Sequence, residues 1–173
     1  TKNQAMLIRA VAELDKRGHH DLRVRFLGAD GGDGSLNLCK SLVVQNGLTG
    51  RVLFEGFDLD VERYYASSDV FVLCSVLEGF PISILEAMRA SIPVVASDVG
   101  GTREQVTDGV TGFLIPTDDH QLLADRIETL LRNEKLRIRL GSAGRLKYER
   151  KFSADRMIAR YAEVLGLSRA TGI

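Results

Sequence analysis

Residues 78–101, EGFPISILEAMRASIPVVASDVGG, constrain the fold more than any other stretch. The apolar run VFVLC (70–74) precedes them and reads as a strand covered on both faces. A Gly/Pro turn follows, then a helical pattern over 83–91, then a second apolar strand at 93–97. A Gly-Gly pair closes the run. Strand, turn, helix and strand at this spacing form a βαβ unit, which demands a parallel sheet with right-handed crossovers.

The rest of the chain keeps that alternation. Leu7, Val11 and Leu14 predict a helix over 3–17, stopped at Gly18. Val24, Phe26 and Leu27 form a short strand ending at Gly28 and the loop ADGGDG. Leu38, Leu42 and Val43 mark a helix ended near Gly47. A strand at 52–54 leads into the turn EGFD, and 60–67 reads as a short helix. A short helix is expected at 101–107 and another strand within 109–116. Asp118 and Gln121 suggest a capping box for a helix at 119–132. The tail is helical at 134–149 and again from Ser153 to about 168. Met157, Ile158, Tyr161, Ala162 and Leu165 share one face there, expected to pack on the domain. One Rossmann-like α/β domain over 1–173 accounts for all of this, with helices on both faces of the sheet.

Composition narrows the function. The chain carries 23 basic and 23 acidic side chains, so no global field favours nucleic acid or an anionic membrane. No apolar run reaches the ~20 residues of a membrane helix. Cys39 and Cys74 lack partners at metal-ligand spacing and read as reduced, buried thiols, which points to the cytoplasm.

Ligands of parallel sheets sit beyond the C-terminal strand ends. Three such ends bear on chemistry. ADGGDG after Gly28 is either a plain loop or a close backbone approach to a ligand. In FEGFD, Gly56 permits an unusual backbone angle. Phe57 there either packs under the turn or offers a flat surface to a base. The third end carries Glu78 and Glu86 beside a helix N-terminus, whose free N–H groups and dipole suit an anion such as phosphate. The two carboxylates could form a hydrolase pair, accept hydrogen bonds from vicinal hydroxyls, or serve as a loop cap and a solvated charge.

EGFPISILE, EAMRASIPVVAS, GGTREQV and DGVTGFLI, in that order, resemble the retaining GT-B glycosyltransferases of family 4 (glycosyl transferases group 1). The resemblance covers the C-terminal, donor-binding half only. It implies that the donor is a nucleoside diphosphate sugar and that no cofactor or metal is needed. Glu78 then matches the signature acid that contacts the transferred sugar, and Glu86 the one that binds the ribose diol. Backbone around Gly79, Phe80 and Ile82 matches the amides that touch sugar and distal phosphate. Leu85 would lie along the nucleoside, and Phe57 and Asp58 would border the base. Lys2 matches the end of an Arg-x4–5-Lys element that holds the diphosphate. Pro81 departs from the pattern: relatives often have Gly there, and proline has no N–H to give.

The resemblance also implies an arginine and a central strand ahead of Lys2. The chain is therefore expected to be part of a longer protein, with a gap beside the 70–74 strand. An N-terminal half would supply the acceptor site for a glycan, lipid or small molecule, and the isolated chain would transfer little sugar. Lys2, Glu78, Glu86 and the amides near Phe80 are expected to line one pocket. Three other readings compete: a nucleotide-sugar-binding module without chemistry, a carboxylate-pair glycosidase and a GT-B-shaped epimerase.

Overall fold

The computed structural model describes residues 1–166. Five parallel strands form two sheets. β1 (Val24–Leu27) pairs with β2 (Val52–Gly56), and β3 (Phe71–Leu73), β4 (Val94–Ser97) and β5 (Gly112–Ile115) form the second group in that order. Among the described residues no ladder joins β1 to β3, so the gap expected beside the 70–74 strand is present. Its one backbone bond to the N-terminal residues is Val76 N–H to the Thr1 carbonyl at 2.9 Å.

β4 shows why helices cover both faces. Its side chains alternate with the period of two expected of a strand. Val95 joins a core with Ile8, Leu14, Leu123 and Leu130, from α1 (Gln4–Lys16) and α6 (His120–Arg132). Val94 and Ala96 point the other way, into a cluster with Ile84 and Met88 of α4 (Ile82–Arg89). Tyr148 of α7 (Glu134–Lys151) and Phe152 close that cluster from outside. The remaining helices are α2 (Ser35–Gln45), α3 (Glu62–Ala66), α5 (Thr102–Gln105) and α8 (Ala154–Val164).

Three expectations need correction. The strand at 70–74 is not covered on both faces along its length: Phe71, Val72 and Leu73 are half-buried, and Cys74 alone is enclosed. An unpaired edge leaves room for solvent on that side. The cap of α6 is Asp119, not Asp118; its carboxylate accepts from Leu122 N–H at 2.8 Å. The apolar stripe of α8 does not pack on the domain either. Met157, Ile158, Tyr161 and Leu165 are each more than half exposed, and α8 has no buried residue. Residues 167–168, the end of the expected tail helix, lie outside the described residues.

Candidate functional site

Lys2 and Glu78 are 76 positions apart in sequence and meet in space. The Lys2 ammonium donates to Glu78 Oε1 at 2.6 Å, and the Ser75 hydroxyl donates to the same oxygen at 2.6 Å. Chain direction explains the meeting. Thr1 is bonded to Val76 just beyond β3, which places Lys2 over the turn that follows. Burial of the Glu78 carboxyl acts to raise its pKa. The hydrogen bonds from Lys2 and Ser75, with the Lys2 charge, outweigh that and hold it below the ordinary carboxylate value.

Glu86 sits one helical turn into α4 and has a different partner. The Tyr65 hydroxyl, from α3, donates to Glu86 Oε2 at 2.9 Å. Burial and the adjacent carboxylate both push the Tyr65 hydroxyl well above its ordinary pKa, so it remains a donor. The two signature acids thus share an arrangement. Each has one oxygen anchored by protein donors. The other, Oε2 of Glu78 and Oε1 of Glu86, has no protein donor among the described residues. A carboxylate held this way keeps lone pairs for ligand hydroxyls.

The turn between β3 and α4 is clamped from behind by the Gly-Gly pair. Gly101 N–H donates to the Gly79 carbonyl at 2.8 Å. A Cβ at Gly100 would lie 1.8 Å from the Glu78 carbonyl oxygen, and one at Gly101 2.2 Å from that of Gly79. Gly100 also has φ +48, in the left-handed region. Only glycine fits this approach. Pro81 is the N-cap of α4, and its carbonyl accepts from the buried Gln105 side chain at 3.0 Å. Its missing N–H therefore lies ahead of the helix, and Ile82 takes the first helical position.

Other expected site residues fall as follows. Phe57 is 72% exposed, so it is not packed under its turn. Asp58 is occupied locally: it accepts from Asp60 N–H and Tyr64 hydroxyl and pairs with Arg63. The triplet Asp58-Leu59-Asp60 has metal-element spacing, yet no group of three or more His, Cys, Asp or Glu gathers anywhere among the described residues. Leu85 is partly buried against the α4 cluster. The ADGGDG loop is exposed and folded on itself by Asp30–Gly32 and Asp33–Ser35 hydrogen bonds. Spacing carried no sign of Ser75, Tyr65 or Gln105 as supporting residues.

Two open clefts lie beyond the C-terminal strand ends. One, of about 450 Å³, runs between Asn3, Arg9, Val76 and His120. The other, of about 470 Å³, runs between Val76, Val99, Arg103 and Thr117. Neither is lined by Lys2, Glu78 or Glu86. The clefts share Thr117 and Val76, the latter two residues before Glu78.

The parallel strands with helices on both faces match the architecture of GT-B glycosyltransferase structures. The family model for Glycosyl transferases group 1 matches residues 1–147, and the chain belongs to that family. It is similar to the EpsD protein of Bacillus subtilis, with 36% identity over 164 residues, 94% of this chain and 42% of that protein. It is also similar to D-inositol 3-phosphate glycosyltransferase of Corynebacterium efficiens, with 33% identity over 174 residues, 94% of this chain and 40% of that one. Among solved structures, Anabaena HepE in complex with UDP superposes with a TM-score of 0.89 at 29% identity, covering 96% of this chain and 46% of that one. HepE is also known in complex with UDP-glucose. The chain spans about two-fifths of the length of these curated relatives.

Proposed function

We propose that this domain is the donor-binding half of a retaining glycosyltransferase that moves a sugar from a nucleoside diphosphate sugar to an acceptor hydroxyl. The observation that carries the reading is the pair of half-anchored acids. The open oxygen of Glu86 suits a ribose diol, and that of Glu78 suits hydroxyls of the transferred sugar. Lys2 is half exposed and can reach a diphosphate while it neighbours Glu78. The HepE complexes with UDP and UDP-glucose support a nucleotide sugar as the ligand class.

In this reading, breaking the anomeric bond builds negative charge on the leaving diphosphate and positive charge on the sugar ring. Lys2 and the N-terminal amides of α4 stabilise the first. Glu78 holds the sugar in the orientation the acceptor needs. No step calls for a metal or cofactor if cations of the protein neutralise the diphosphate. The acceptor, a glycan, lipid or small molecule, binds the rest of the longer protein. The domain works in the cytoplasm, a reading supported by two buried free thiols, Cys39 and Cys74. No described helix is long and apolar enough to cross a membrane.

The test is calorimetry of the full-length protein with UDP-, GDP- and ADP-sugars, with an acceptor screen in parallel. One nucleotide class binds, and Glu86→Ala weakens it at least tenfold. Binding without transfer to any acceptor would favour the non-catalytic module. Release of free sugar from a simple glycoside would favour a hydrolase.

A further inference from the structure

We propose that Gln105, which makes no hydrogen bond to either acid, is a positioning residue that aims the backbone amides of the 78–82 turn at the donor diphosphate. The proposal rests on the donor-binding reading above and adds to it the element that holds the turn.

Three carbonyls of the turn face α5 and the glycines before it. The hypothetical Gly100 Cβ is 1.8 Å from Glu78 O and 3.0 Å from its carbon. That difference is about one C=O bond length, so the carbonyl points straight at Gly100. The Gly79 carbonyl faces Gly101 by the same measure, at 2.2 and 3.2 Å, and accepts its N–H. The Pro81 carbonyl accepts the Gln105 Nε2–H at 3.0 Å. The peptide bonds of the described residues are all trans, and in a trans peptide the N–H points opposite the C=O. The N–H groups of Gly79, Phe80 and Ile82 are therefore turned away from α5. None of the three has an acceptor among the described residues. Phe80 and Ile82 are exposed, at 41% and 65%. Three outward donors next to Glu78 form the kind of concave amide site that takes phosphate oxygens.

Gly101 and Gln105 hold different peptides of this array. Gly101 acts through its backbone N–H, on the Gly79 carbonyl. Gln105 acts through its side chain, which joins the Ile84 N–H (3.3 Å) on the Pro81 carbonyl and so helps to fix the Pro81–Ile82 peptide at the very start of α4. The cost of keeping a glutamine there is visible. Its side chain is fully buried, and its Oε1 has no hydrogen-bond partner. The carbonyl acceptor requires that the amide nitrogen face Pro81, so turning the amide over would not relieve the orphan. An apolar side chain of the same length would remove the orphan and leave stability nearly level, at the loss of one hydrogen bond. Shape alone therefore does not call for glutamine; a donor at this point does.

The test compares full-length wild type with Gln105→Met, titrated with UDP and with uridine. If wild type binds none of UDP, GDP or ADP, the donor-binding reading fails and the inference goes with it. If it binds GDP or ADP instead, that nucleotide and its nucleoside replace the UDP pair. With wild type binding, Gln105→Met is expected to weaken UDP about five- to tenfold, the weight of one hydrogen bond, and to leave uridine within about twofold. Equal UDP affinity, or parallel losses for UDP and uridine, would overturn the positioning role. If the variant does not fold, amide exchange on wild type decides. The Phe80 and Ile82 amides should exchange fast alone and slow when UDP is added, with Gly101 protected throughout. Fast exchange at Phe80 and Ile82 with UDP bound would refute it.

Discussion

Lys2 Nζ lies 2.6 Å from Glu78 Oε1, which joins the start of the first helix to the turn ahead of α4. The Lys2 side chain is 56% exposed and that of Glu78 12%. Solvent screens such a pair, so its share of stability is about 1 kcal/mol or less. Removing the Lys2 charge should therefore cost little folding energy and much function. Lys2→Met in the full-length protein is expected to move the thermal midpoint by only a few degrees and to lower kcat/KM for transfer at least 100-fold. A large fall in midpoint with activity retained would make the pair a structural tie.

Gly100 and Gly144 make opposite predictions for the same substitution. Gly100→Ala meets the Glu78 carbonyl at 1.8 Å with φ at +48, so backbone has to move. A cost of about 2–4 kcal/mol is expected, with the Glu78 turn displaced. Gly144 lies inside α7, and its nearest neighbour, Met88 Cγ, would be 3.6 Å from a new Cβ. Gly144→Ala should gain up to about 1 kcal/mol from helix propensity. Denaturant titration of the two variants checks both signs; a stable Gly100→Ala would mean the turn is not clamped from behind.

The elements readable in the sequence were those set by local periodicity. The 83–91 pattern gave α4 because burial on one face leaves a period in the chain, and the 93–97 run gave β4 because burial on both faces leaves a continuous apolar stretch. The acids were legible through a motif. Their anchors were not: Tyr65 reaches Glu86 across 21 positions and Gln105 reaches Pro81 across 24. Such pairings depend on how helices from different crossovers pack, which no local period records. Asp118 and Asp119 are chemically equal candidates for a cap, and only the backbone at Asp119 selects between them. The stripe on α8 shows the converse limit. Periodicity identifies an apolar face but says nothing about what covers it.

That stripe yields a prediction opposite to the packing expectation. Met157 and Ile158 are 54% and 60% exposed. Exposed substitutions away from any partner shift stability by about 0.5 kcal/mol or less. Met157→Gln and Ile158→Gln in the 173-residue chain should leave its unfolding midpoint in urea unchanged within that margin. A loss of about 2 kcal/mol or more from either would show that the stripe is a buried core face after all.

Acid should loosen the α1 side of the domain first. Hydrogen bonds from Arg51 and then His20 pull Asp15 from 3.8 down to about 2. Hydrogen bonds from His19 and then Arg17 bring Glu128 from 4.5 to about 2. Arg17 also reaches Asp125, so these charges tie α1 to α6, and Arg51 ties α1 to the residue before β2. The sign follows from linkage. A carboxylate whose folded pKa lies below its unfolded value adds stability that is complete above the unfolded value. It is lost as pH falls through the folded value. Stability should thus be flat near neutrality and decline between about pH 5 and pH 2. Glu128→Gln removes one of the responsible groups. Its thermal midpoint should fall less steeply than that of wild type over that window, and the difference should shrink in high salt because these side chains are partly exposed. Parallel acid profiles for the two proteins would show that Glu128 is not linked to folding.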